Sequence, residues 1–126
     1  MALDYNPNGT AFATAGKDNL VRIYDEETKK VAHELSSIKW HKPGHNNRIF
    51  SVKFKKDEPD ILVSGGWDQN VSISLIKVHI WDIRTESVVQ TIFGPKIAGD
   101  SIDIKDNILL TGANRGKDQL QLWDCR

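Results

Sequence analysis

The chain has 126 residues, 39% apolar and 27% charged, the composition of one folded domain rather than of a disordered segment. Its 17 Lys and Arg balance 17 Asp and Glu, and a net charge of zero argues against gripping nucleic acid or an anionic membrane through bulk charge. The lone Cys125 cannot close an internal disulfide, no apolar run approaches the ~18 residues of a membrane helix, and Met1–Pro7 has no signal-peptide pattern, so no membrane is expected and the expected location is the cytoplasm or nucleus.

Short apolar runs alternate with turn residues along the whole chain. Asn6-Pro7-Asn8-Gly9 precedes the run Ala11–Ala15, and Gly16-Lys17-Asp18-Asn19 precedes Leu20–Tyr24. Farther on, Ile61–Ser64 lies between Lys55–Asp60 and Gly65-Gly66-Trp67-Asp68, and Ile108–Thr111 runs into Gly112. Runs of about five residues, rich in Val and Ile and closed by Gly, Asn or Asp, read as strands in hairpins. No window has a capped 3.6-residue apolar period, so the chain is predicted to be all-β.

The stronger signal is internal similarity. Leu3–Tyr5, Phe12–Asp18 and Val21–Asp25 form a first unit. Val52–Phe54, Leu62–Asp68 and Val78–Asp82 form a second, and Ile102–Ile104, Leu109–Gly112, Asp118 and Leu120–Asp124 form a third. Each reads strand, turn, strand with Ser or Thr, turn with Asp, and a strand ending in aromatic-Asp; outer strands Val31–Leu35 and Val88–Ile92 follow the first two. This pattern resembles the Trp-Asp (WD) repeat β-propeller family, whose repeats run Gly-His, strand, Ser/Thr-Gly-x-x-Asp, strand, Trp-Asp. The middle unit carries it in full with Gly44-His45, Ser64, Asp68 and Trp81-Asp82.

The resemblance implies four-stranded antiparallel blades around a channel. Blade 1 would span residues 2–35, a linker 36–47, blade 2 residues 48–93 with an insertion at 71–77, and an incomplete blade 3, lacking its outer strand, residues 94–126. It also implies a structural hydrogen-bond set in the middle unit: His45 with Asp68, His45 with Ser64, and Ser64 with the indole N–H of Trp81. A buried indole needs an acceptor, a hydroxyl can accept and donate onward, and an imidazole can link that hydroxyl to a carboxylate. Losing Asp68 or Trp81 is expected to destabilise the blade by roughly 1–3 kcal/mol or more. The flanking units depart from the pattern, with Tyr24 in place of Trp and Pro95 in place of the histidine, so the full set is expected in the middle unit alone. Ser64, His45 and Asp68 superficially suggest a hydrolase triad, but a serine held against Trp81 has no accessible Oγ and no oxyanion site. No catalytic residue is therefore assigned.

Two features are unusual. Asp18 stands six positions before Tyr24, whereas Asp68 stands thirteen before Trp81, which points to a seven-residue insertion at Val71–Lys77. An odd insertion in an unbroken strand would flip later side chains, so a bulge, a longer hairpin or a loop is expected there. Both a binding loop and a tolerated insertion fit. About three blades are also fewer than the 4–8 of a closed propeller, so the remaining blades of a larger ring are an expected partner, and the chain reads as a fragment, an isoform or one segment of such a ring.

In the resembling family, partners dock on the face made by the loop entering the first strand and the turn between strands two and three. Carried over residue by residue, that face offers Arg48 and Phe50, with Asn46 and Asn47, from the entering loop. Lys17, Trp67 and Lys117 stand just before the turn aspartates, and Asp100 matches Phe50 in the third unit. Aromatic plus Arg is hot-spot composition. The expected function is a non-catalytic scaffold for proteins or peptides; the alternative is a reader of RNA or modified peptides through stacking on the aromatics. His41 and His45 are four apart, but without a helix or a third ligand they imply no metal, and no cofactor is expected.

Overall fold

The structure is a computed structural model describing residues 1–36, 44–70, 73–93, 97–113 and 119–126; for 68–70, 73–77, 97–100 and 113 it describes the backbone alone. Eleven strands run in chain order among the described residues: β1 (Ala2–Tyr5), β2 (Ala11–Ala15), β3 (Val21–Asp25), β4 (Val31–Leu35), β5 (Ile49–Phe54), β6 (Ile61–Asn70), β7 (Ile73–Asp82), β8 (Ser87–Phe93), β9 (Ile97–Lys105), β10 (Ile108–Ala113) and β11 (Leu120–Asp124). They form three antiparallel sheets with neighbours in sequence order: β1-β2-β3-β4, β5-β6-β7-β8 and β9-β10-β11. The protein is all-β, as the alternation of apolar runs and turns predicted. No helix among the described residues is long and apolar enough to cross a membrane.

The sheets stack face to face. Because side chains alternate across a strand, the middle sheet sends Leu62 and Trp81 toward the first sheet and Val63, Val78 and Ile80 toward the third. Ala13, Ala15, Val21 and Ile23 meet the first of these faces, with Val52 and Phe54. Ile102, Ile104 and Leu109 meet the second. Polar ties join the sheets at their edges. The Phe54 amide donates to the Asp4 carboxylate at 2.8 Å. The Ile49 amide donates to the Gly16 carbonyl at 3.0 Å. His33 Nδ1 lies 3.0 Å from Glu86 Oε1. Between the second and third sheets the nearly buried Lys55 amine donates to Asn107 Oδ1 at 3.2 Å and is bonded to Glu58. That Glu58 carboxylate holds the Lys55 amine above its usual pKa.

The aspartate that closes each aromatic-Asp strand has a local task. Asp25 Oδ1 accepts the Thr28 amide at 2.9 Å, Asp82 Oδ1 the Arg84 amide at 3.0 Å, and Asp124 Oδ1 the Arg126 amide at 3.0 Å. A carboxylate that caps the following turn explains why Asp recurs at this place. The same turns pass through left-handed backbone at the equivalent Lys29 and Glu86, with φ of 58° and 50°. The Arg84 guanidinium beside Asp82 and the Thr28 amide at Asp25 lower those carboxyl pKa values, and Arg126 takes Asp124 down to about 2.

The seven extra positions between Asp68 and Trp81 fall in the β6–β7 hairpin. The register set by Ser64 opposite His79 continues without a shift through Trp67 opposite Ile76 to Asn70 opposite Ile73. In the first sheet Thr14 opposite Arg22 is the equivalent pair, and pairing stops one step later at Ala15 opposite Val21. An odd seven added to the five residues of that turn leaves an even number, which zips into pairs and a two-residue link, so no later side chain changes face. Residue 68 consequently lies within a strand, where the aspartate spacing had suggested a turn. Residues 71–72 themselves lie outside the described residues.

Candidate functional site

The site is built where the loop entering β5 meets the base of the long hairpin. Pairing between β5 and β6 slips there: Ile49 faces Gly66 and Ser51 faces Gly65, leaving Phe50 as the extra residue of a β-bulge. A bulge re-aims one side chain, and here it brings the Phe50 ring to 5.2 Å from Trp67, edge to face at 74°. The Trp67 amide donates to the Arg48 carbonyl at 2.9 Å, which holds the loop against the hairpin. A Cβ on Gly66 would come 2.8 Å from that carbonyl oxygen and 2.9 Å from His45 Nδ1, so glycine is needed for the approach. Trp67 is 51% exposed despite the contact, and Arg48 holds its guanidinium over the Phe50 ring at 6.0 Å.

A cleft of about 530 Å³ opens beside this pair, between the first two sheets, lined by Lys17, Asp18, Arg22, Arg48 and Phe50 among others. The Ile49–Gly16 backbone bond brings the Lys17 turn beside Arg48. Arg22 is held at 2.5 Å by Asp18 and at 3.5 Å by Glu34. The Arg22 hydrogen bond lowers the Asp18 carboxyl pKa. Among the described residues no carboxylate is paired with Lys17 or Arg48. Lys17, Arg48, Phe50 and Trp67 thus lie on one edge of the sheet stack. Asp100 falls within β9, where only the backbone is described; Lys117 and His41 lie outside the described residues.

Behind the surface pair is a buried polar set. Trp81 Nε1 donates to Ser64 Oγ at 2.8 Å, and Ser64 Oγ lies 2.7 Å from His45 Nε2. All three residues are at most 1% exposed. The Ser64 hydroxyl, accepting from the indole, thus links Trp81 to the His45 ring. The Asp68 side chain lies outside the described side chains. Sequence reasoning missed His79: it is buried, edge-on to His45 at 4.5 Å and to Trp81 at 5.8 Å, with Nδ1 2.9 Å from Thr91 Oγ1. Its strand position opposite Ser64 was the available signal. The third sheet repeats part of the set, with Trp123 Nε1 donating to the buried Thr111 Oγ1 at 3.0 Å. In the first sheet Tyr24 instead stacks on Phe12 at 5.0 Å and 6°.

Comparison with known proteins places this architecture. Residues 1–25 and 34–73, just over half of the chain, match the WD40 family, described as WD domain, G-beta repeat. The chain is 31% identical over 87 residues to WD repeat-containing protein 1 of Mus musculus, covering 69% of this chain and 12% of that protein. It is 26% identical over 139 aligned positions to Histone acetyltransferase type B subunit 2 of Candida glabrata, covering 98% of this chain and 30% of that protein. Actin-interacting protein 1 of Drosophila melanogaster is 30% identical over 66 residues, 52% of this chain and 10% of that protein. The chain therefore spans well under half the length of these relatives. With three antiparallel sheets built on a recurring strand–turn–strand unit and the family match running through two of them, the chain belongs to the WD40 repeat family.

Proposed function

We propose that the chain is a non-catalytic docking module that binds a protein or peptide partner at the edge formed by Lys17, Arg48, Phe50 and Trp67. One observation carries this reading: an aromatic pair, Phe50 edge-on to Trp67, stays half open to solvent beside a cleft of about 530 Å³. An indole left exposed next to an arginine is the composition of an interface hot spot. The bulge at Phe50 and the Arg48–Trp67 backbone bond fix the rings in advance, so little side-chain entropy is lost when a partner arrives. Relatives named as a complex subunit and as an actin-interacting protein support a binding role. In this reading the sheets are the blades 2–35, 48–93 and 94–126, joined at 36–47, and Asp100 and Lys117 are further candidates for partner contact.

The buried polar set supports the non-catalytic part. Ser64 is fully enclosed and its hydroxyl already accepts from Trp81, so it cannot meet a substrate. Its role is to tie β6, β7 and the entering loop together behind the surface pair. The test is binding to a peptide array and to single-stranded RNA by the wild-type chain, Trp67→Ala and Phe50→Ala. Peptide binding that both variants weaken supports the reading. Binding that neither variant changes removes the site assignment, and RNA binding without peptide binding favours the stacking reader instead.

A further inference from the structure

Three of the four described arginines have a carboxylate partner: Arg22 with Asp18, Arg84 with Asp82 and Arg126 with Asp124. Arg48 is the exception among the described residues; it lies over the Phe50 ring instead. Lys17, the other cation of the cleft without a carboxylate, is brought beside it by the Gly16–Ile49 bond. In a chain of zero net charge this is a local surplus of positive charge, and charge of one sign lining a cleft raises the local concentration of the opposite sign. The aromatic platform begins 6.0 Å away at the Phe50 ring and continues to Trp67.

We propose that this cleft seats an acidic side chain of the partner, Asp or Glu, with an apolar side chain two residues away lying on Phe50 and Trp67. In an extended peptide the same-face side chains at i and i+2 stand ~7 Å apart, which suits the separation of the guanidinium from the rings. The carboxylate accepts from Arg48 and Lys17, two cations that no carboxylate among the described residues holds. The apolar residue covers the exposed side of the Trp67 ring and dries the contact, which strengthens the charge pair. The partner chemistry is thus an extended segment with acidic and apolar residues alternating, and the inference rests on the docking reading given above.

The test measures fluorescence anisotropy of a labelled peptide with the core Asp-Ser-Leu-Glu-Ser-Leu against its counterpart with Asn and Gln, with oligouridine as a third probe. Probes are titrated into wild type, Lys17→Glu/Arg48→Glu and Trp67→Ala, each checked for unchanged circular dichroism. The acidic peptide is expected to bind about tenfold tighter than the amide peptide, an advantage that shrinks as salt shortens the ~10 Å screening length. Charge reversal is expected to erase that advantage, and Trp67→Ala to weaken both peptides. Equal binding of the acidic and amide peptides, with Trp67→Ala weakening both, overturns the acidic specificity and leaves the docking site standing. An acidic preference that survives charge reversal overturns the assignment to Lys17 and Arg48. Binding of oligouridine alone, or of no probe, overturns both readings.

Discussion

The middle sheet and the two sheets that flank it share one repeat and differ in what covers them. In the middle sheet both faces are packed: Leu62 and Trp81 against the first sheet, Val63, Val78 and Ile80 against the third. The third sheet carries apolar residues at the corresponding outward positions, yet Leu110 is 37% and Leu122 72% exposed where Val63 is fully buried. On the outward face of the first sheet, Tyr5, Phe12 and Tyr24 form an aromatic ladder with the Lys29 amine 5.9 Å above Phe12. The lesson is energetic. A strand pattern specifies an apolar face, but the face contributes its burial free energy, roughly 25 cal/mol per Å², only where another face removes it from water.

The comparison can be broken most forcefully at the aromatic that ends the third strand of each unit. Trp81→Ala leaves a cavity and takes the indole donor from Ser64 Oγ, and a loss of ~3–5 kcal/mol is expected in urea denaturation. Tyr24→Ala at the equivalent place, on a face that no sheet covers among the described residues, is expected to lose ~1 kcal/mol. Similar losses for both would mean that the repeat position matters and its covering does not. Next in size, Gly66→Ala drives a methyl into the Arg48 carbonyl and the His45 ring and should lower stability by ~1–3 kcal/mol. Gly16→Ala, with only Met1 Cα at 4.0 Å, should scarcely register in the same measurement.

Finer resolution comes from the hydroxyls. Ser64→Ala removes the acceptor of a buried indole and the hydroxyl bonded to His45, an expected loss of ~1–3 kcal/mol by thermal denaturation. Thr111→Val is expected to stay near ~1 kcal/mol, because half-buried Trp123 can turn its N–H to water. The smallest effect is on pH. Asp25, Asp82 and Asp124 have folded pKa values lowered below 3.8, so their contribution is present at neutral pH. It is lost as pH falls from 3.8 through those lowered values, to about 2 for Asp124. A shallow fall in melting temperature over that window is expected, shallower still in Asp82→Asn; a profile flat down to pH 2 would deny these caps any share in stability.

Much of this was legible in the residues. The hairpin units and their all-β character follow from spacing, because strand alternation and turn chemistry act over a few neighbours; the Trp81–Ser64–His45 contacts were expected from the resemblance to the WD repeat. Phe50 and Trp67 could be named as surface candidates, but their ring contact could not: it depends on a bulge that arises only when β5 is laid against Gly65-Gly66. The length of the odd insertion was readable, whereas its resolution into extra pairs depended on how two strands share a register.

What the sequence determined by itself is the module: where strands run, where turns fall, and that the unit recurs. Only the tertiary structure decided which copies of that module are covered, which ring stays open beside the cleft, and which of the described arginines lies over a ring instead of beside a described carboxylate. The first set depends on interactions between residues near in sequence or locked in one hairpin. The second depends on faces contributed by separate sheets, and no spacing within one sheet encodes what its neighbour brings.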